Sequence, residues 1–284
     1  MIGLINIIEV LVIAAPTISN ITSDDSVNNS HITVNSSKLA LVLGGSAALL
    51  TSAHLQNYNS WWKGERSSFH FGEDGTYTLG SDKLGHLYFT YLSSDIIGRS
   101  LQWYGIKTER ALLYGASLSL AFQIYVEVED GFTKVLGFSP GDAVADIVGA
   151  CYPLLQHHDP WFQNFRLKWS VIPSEKYREG LYRTLIDDYE SQYFWLSFNL
   201  SGTFPVFQSF IPNFLNVAIG YSVKNLDNIN GGERELFLGF DVDMTKLPGE
   251  GAFITTLKHA LNYFHFPAPV VRLTPSVITY GLRF

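Results

Sequence analysis

The chain has 284 residues, 46% of them hydrophobic and 14% aromatic, with a charged fraction of 16% and a formal net charge of -7. That is apolar material enough for one large domain or two ordinary ones and excludes a disordered chain. The lack of any long Lys/Arg run excludes nucleic acid as a partner, and the single cysteine, Cys151, excludes an internal disulfide framework and a multi-cysteine zinc site.

Residues 1–19, MIGLINIIEVLVIAAPTIS, hold an apolar run broken by Glu9 and small residues at Ala14 and Ala15, which reads as a signal peptide. A buried N-terminal segment is the competing reading, because no Lys or Arg precedes the run. No Cys follows it, so a lipid-anchored N-terminus of the bacterial lipoprotein kind is not expected. Residues 20–37 are rich in Ser, Asn and Asp, the composition of a linker.

Residues 38–158 are expected to form a helical bundle of about four helices. Leu39 to Ala53 is free of charge but shorter than the roughly 20 residues of a comfortable membrane span, and suits a buried or membrane-dipping helix. An aromatic, Gly-rich connection then leads to Ser81, read as the N-cap of a helix from Asp82 to Tyr104 with Gly105 as its stop. Asp95 and Arg99, four apart, are expected to pair on its exposed side. A helix from Thr108 to Asp130 has no charge between Ala111 and Val126. Its small residues Gly115, Ala116, Ser117 and Ser119 suit close helix approach, so it is the centre of the bundle or a lipid-facing helix. The next helix is the best punctuated: Ser139 as N-cap, Pro140 at the first helical position, Asp142 three after the cap, and an end near Gln156. The apolar neighbours of Cys151 predict a buried, inert thiol.

Residues 159–284 change period. FQNFRLKWSVIP alternates apolar with polar, and YFWLSFNLSG, LNVAIGYSVKN, RELFLGFDVDM and PSVITYGLRF follow, with NINGG supplying turn chemistry. Five strands of a mainly antiparallel β region are predicted. The last, ending on Phe284, resembles the terminal strand of an outer-membrane β-barrel, but five strands fall short of the about eight such barrels need, and a soluble sheet explains it as well. The fold class is therefore α+β: an N-terminal helical bundle followed by a C-terminal antiparallel region, with membrane association indicated by the aromatic content.

Three polar motifs interrupt the apolar helices. Asp82 and His86 lie one turn apart on one face, a spacing that lets a carboxylate orient an imidazole or lets both hold a metal, while Lys83 points about 100° away. Glu127 and Asp130 sit at a helix C-terminus, where the dipole disfavours carboxylates. Asp142 and Asp146 are again four apart, and Asp146 lies within AVADIVGA, where an unpaired carboxylate costs several kcal/mol. If the three helices pack as antiparallel neighbours, all seven residues meet at one end. Capping alone explains Asp142, and the helix dipole explains Asp82. An ion-pair network that fixes packing, a divalent-cation site on Asp82, His86, Glu127 and Asp146, and a hydrolytic centre with His86 as acid or base are the wider alternatives.

Elsewhere, His157, His158 and Asp159 read as a helix-ending loop. His54, His70, His259 and His265 read as core or interface histidines, and the acids Asp241 and Asp243 of DVDM as a solvated strand face. No Gly-rich phosphate loop, serine nucleophile elbow or zinc-protease motif occurs.

WW with SSFHFGED, then DKLGH, EVEDGF and GFSPGDAVADIVGA, in this order over residues 60 to 152, resemble the YfiM-like domain-of-unknown-function family of predicted periplasmic lipoproteins. A more distant similarity is to VanZ-like membrane proteins, which share the Asp-Lys-x-x-His helix. The resemblance implies an envelope location on the periplasmic side, a helical core, and a polar centre at Asp82, Lys83, His86, Glu127, Asp130, Asp142 and Asp146. It supplies no reaction. This chain departs from it in lacking a lipobox cysteine and in having Asp146 where VanZ-like proteins commonly carry Asn.

Two functions follow. The first is non-enzymatic, a structural or lipid-binding envelope role in which the polar cluster fixes the bundle, with membrane or lipid as partner and no cofactor required. The second is a hydrolase acting on a lipid-linked or phosphorylated envelope substrate, with His86 and the carboxylates at its centre and a divalent cation as helper.

Overall fold

A computed structural model describes residues 36–64, 66–72, 77–227 and 231–284 of the chain. Residues 1–19, read from the sequence as a signal peptide, and residues 20–35 of the expected linker lie outside the described residues, and Ser36, expected in that linker, already opens the first helix.

The helical part comprises α1 (Ser36–Asn57), α2 (Ser81–Tyr104), α3 (Thr108–Gly131) and α4 (Pro140–His158). The first helix ends in a widened turn over Tyr58–Trp62. Gly105, at a φ of 109° that a side chain would resist, closes α2 as expected and lets α3 start three residues on. The other end of α2 differs from expectation. Ser81 is its first helical residue, and the cap position belongs to Gly80, at a φ of 91°. Two glycines permit the close approach of the helices. A Cβ on Gly115 of α3 would lie 2.5 Å from the Ser94 carbonyl of α2, and one on Gly149 of α4 would lie 2.3 Å from the Leu87 carbonyl.

One face of α3 is packed through Ala111, Gly115 and Ala116, while Leu113, Tyr114 and Leu118 are exposed, so the bundle-centre and outward-facing readings each hold for one side of the helix. Among the described residues this helix is the one long and apolar enough to cross a membrane, by length and composition. Cys151 is a correction: α4 turns it outward, and the thiol is exposed. The Asp95–Arg99 pair forms at 2.7 Å, but Asp95 is buried and also accepts from the Tyr263 hydroxyl at 2.6 Å. Burial raises the Asp95 pKa, and the Arg99 charge beside it outweighs that and holds it below the usual carboxylate range.

The strands are β1 (Phe165–Val171), β2 (Gln192–Phe198), β3 (Leu215–Lys224), β4 (Glu233–Val242), β5 (Ala268–Thr274) and β6 (Ile278–Arg283), paired antiparallel in sequence order in one sheet. There are six rather than five. Pro269 removes a ladder donor from APVVRLT and so hides β5 from a pattern reading, and the pairing with β6 is irregular at that point. A helix between β4 and β5, α5 (Ala252–Leu261), was also not foreseen.

On the face that meets α2, Trp169 and Phe194 pack with Tyr88, Tyr91, Leu92 and Tyr263 in one core shared by helices and strands. The other face curls in on itself. Arg283 of β6 donates to the Tyr193 hydroxyl of β2 at 2.7 Å, and Lys168 of β1 reaches Asp241 of β4 at 2.6 Å, although four and three strand positions separate these pairs. The curl encloses Tyr193, Trp195, Ala218, Phe237 and Val270.

Candidate functional site

The start of α2, the end of α3 and the start of α4 do lie together, and all seven polar residues expected there converge. His86 is at the centre. Its Nδ1 lies 3.2 Å from each carboxylate oxygen of Asp146, and its Nε2 lies 3.5 Å from Glu127 and 4.0 Å from Asp82. Asp146 Oδ1 also accepts from the Thr90 hydroxyl at 2.6 Å and the Gln123 amide at 3.3 Å, so a fully buried carboxylate is held by three side chains.

The remaining members are tied in from outside. Lys83 donates to Asp142 at 3.1 Å, and its aliphatic stem passes against Gly141, where a Cβ would meet Cε at 2.7 Å. Ser139 caps α4 as expected, its hydroxyl accepting from the Asp142 amide at 3.2 Å. The Ser139 backbone N–H goes to Glu127 at 2.9 Å, which fastens the end of α3 to the beginning of α4. Asp130 accepts from the Trp62 indole at 2.6 Å, and Asp82 from the Tyr189 hydroxyl at 2.7 Å.

Thr90, Gln123, Trp62 and Tyr189 are the partners that sequence reasoning missed. Thr90 and Gln123 have a signal in retrospect: Thr90 is one turn beyond His86, and Gln123 one turn before Glu127, so each shares its helix face with a cluster residue. Trp62 and Tyr189 come from distant segments and carry no such signal.

Electrostatics follow from this packing. Burial alone lowers the His86 pKa, but the hydrogen bond it donates to Asp146 and the charges of Asp82, Asp146 and Asp142 reverse that and raise it to about 10. The ring is an imidazolium at neutral pH. Burial pushes Glu127 up to about 8, opposed by the His86 charge and the Ser139 amide. Burial likewise pushes Asp130 up to about 6, opposed by the Trp62 hydrogen bond. An imidazolium held by the charges of Asp82, Asp146 and Asp142, with Glu127 and Asp130 resisting ionisation beside it, is a proton-sharing arrangement, and it is poor as a general base because the ring already holds both protons.

Donor atoms of Asp82, His86 and Asp142, and those of His86, Glu127 and Asp146, lie within 4.8 Å of one another, a spread a cation could bridge if His86 lost a proton.

A second buried polar group lies inside the curl of the sheet, where the sequence reading placed solvent. Lys168 is fully buried between Asp241 and the Val242 carbonyl, to which it donates at 2.7 Å. Asp241 also accepts from Ser197 at 2.6 Å. The DVDM acids are therefore interior groups, since Asp243 is buried too. His265 stacks on Trp195 with centroids 3.9 Å apart, and burial lowers its pKa to about 4. His157 and His158 end α4 and stand exposed.

A family model described as predicted periplasmic lipoprotein (DUF2279) matches residues 70–158, the stretch that contains α2, α3, α4 and all seven cluster residues. The location it describes, the periplasmic side of the cell envelope, is the one expected from the motifs, and a lipoprotein family implies association with a membrane. The match leaves the β region outside. No curated protein and no solved structure matches the chain, and the similarity to VanZ-like membrane proteins finds no support.

Proposed function

We propose that this is a structural, lipid-binding protein of the cell envelope in which the His86 cluster is a clamp that locks α2, α3 and α4 and ties them to the β region. The observation that carries the reading is partner saturation. His86 is bracketed by Asp146 and Glu127, Lys83 by Asp142, Asp130 by Trp62 and Asp82 by Tyr189. A catalytic centre keeps at least one polar group poised for substrate, whereas a clamp consumes its groups internally.

One observation favours a second reading, a divalent-cation site that assists hydrolysis: the compact donor set of His86, Glu127 and Asp146. Metal analysis of the purified protein, together with the stability of Asp82→Asn, His86→Ala and Glu127→Gln, separates the two. The clamp reading expects no stoichiometric metal and lowered unfolding midpoints for His86→Ala and Asp82→Asn. Bound metal, with variants that fold as stably as the parent but lose the metal, would replace it with the cation reading.

A further inference from the structure

The β region is built inside out. Its curled interior holds Lys168, Asp241, Glu235 and Asn216, all buried, while on the opposite face, beyond Trp169 and Phe194 that α2 covers, several strand positions are apolar and open. Leu196, Ile219 and Leu238 lie side by side across β2, β3 and β4 on that outward face, with Phe240 two residues along β4. Ile219 is 48% exposed, Leu238 44% and Phe240 48%. The loop from β2 to β3 extends the surface. It reads FPVFQSFIPNF, its Phe210 is 81% exposed, and its Phe214 carbonyl accepts the Asp243 amide next to the end of β4.

Charge decides what covers this face. From Glu190 to Lys224 the sequence has no Asp, Glu, Lys, Arg or His between those two residues, and on β4 the outward positions Leu236, Leu238 and Phe240 are apolar, with the one charge, Arg234 at the strand's start, turned to the Leu79 carbonyl. The backbone of β2, β3 and β4 is bonded to strands on both sides, so the face presents almost no hydrogen-bonding group. A protein partner's interface carries about ten direct hydrogen bonds and a polar rim. Hydrocarbon needs none, and exposed aromatic rings at the end of such a face suit the boundary between headgroups and acyl chains.

We propose that the outward face of β2–β4, continued by the Phe204–Phe214 loop, rests on the acyl chains of a lipid bilayer, with the charged sheet interior shielded behind it. This rests on the lipid-binding part of the function proposed above and names the surface responsible. It concerns docking onto a membrane, not crossing one.

The test uses the full chain and vesicles of phosphatidylethanolamine and phosphatidylglycerol. The parent is expected to float with the vesicles. Phe210→Ser combined with Leu238→Thr should lower the bound fraction roughly tenfold, and Val135→Ser, at an exposed apolar residue near the helix ends, should leave it unchanged. Because the altered side chains are exposed, thermal unfolding verifies that the variants fold.

An environment-sensitive fluorophore at Leu238→Cys, in a Cys151→Ser background, should shift to the blue when vesicles are added. A parent that does not bind vesicles overturns both this proposal and the lipid-binding reading. Binding that persists in the double variant, or a fluorophore that does not shift, overturns only the surface. A parent that dimerises without lipid and becomes monomeric in the double variant identifies a second copy as the occupant and likewise overturns it.

Discussion

Between α2, α3 and α4, the five carboxylates of Asp82, Glu127, Asp130, Asp142 and Asp146 meet two bases, Lys83 and His86. Inside the curled sheet the groups meet as pairs, Lys168 with Asp241 and Arg272 with Glu235, with Asp243 buried just beyond the end of β4. The helical cluster can adjust, because acids in excess of bases can keep protons, and the elevated pKa values of Glu127 and Asp130 express that reserve. A buried pair such as Lys168 and Asp241 has less of such a reserve. Removing one partner strands the other as a charge in a dry interior.

The contrast is broken most directly at the sheet. Lys168→Met is expected to lower stability by about 3–5 kcal/mol, read as a shift in the urea unfolding midpoint, and adding Asp241→Leu should recover most of the loss. His86→Ala in the helical cluster should cost less, about 2 kcal/mol, since Glu127 can take up a proton when the imidazolium is gone. If the two single variants lose equal stability, the difference between the regions is not one of proton reserve.

The pH dependence sharpens the same point. His86 is raised from 6.5 to about 10, so its contribution is fully present below pH 6.5 and is lost as pH rises through 10. Glu127, raised from 4.5 to about 8, and Asp130, raised from 3.8 to about 6, act in the same direction: the folded state holds their protons longer than the unfolded chain does. Stability should therefore fall from pH 4.5 towards pH 10 in the parent. In a His86→Ala, Glu127→Gln double variant the decline should flatten, as urea titrations across that window would show. Least affected should be the Arg66–Glu129 pair at the surface, 2.7 Å long but with Arg66 half exposed. Glu129→Gln is expected to change stability by less than about 0.5 kcal/mol, and it sets the baseline against which the cluster variants are judged.

The helical site was legible because its signals are local. Four-residue spacing puts Asp82 with His86 and Asp142 with Asp146, Gly105 stops one helix, and Ser139-Pro140 starts another. Short connections then fix which helix ends meet. In the sheet the alternation was legible but its direction was not. Lys168 and Asp241 stand at polar positions that, in an ordinary half-buried sheet, face water. Here the sheet curls round its polar side, an outcome set by contacts between β1 and β4 and between β2 and β6 that no local window contains. Cys151 was misplaced for a related reason: apolar neighbours indicate burial only when the outside is polar, and α4 also exposes Val144, Ile147 and Val148.

The core that joins the two regions bears on the order in which the chain emerges. The Tyr88 hydroxyl donates to the Tyr263 carbonyl, and the Tyr263 hydroxyl to Asp95, contacts separated by 175 and 168 residues. The three helices can be synthesised and can begin to pair long before Tyr263 arrives, so the Asp95 carboxylate, already beside Arg99, waits for its tyrosine partner through the making of β1 to β4, while Trp169 and Phe194 reach the aromatic face of α2 earlier. A chain stopped at the limit of the family match, after residue 158, keeps the whole His86 clamp except Tyr189 but never receives Trp169, Phe194 or Tyr263. Such a fragment would leave the aromatic face of α2 open to water and to other chains.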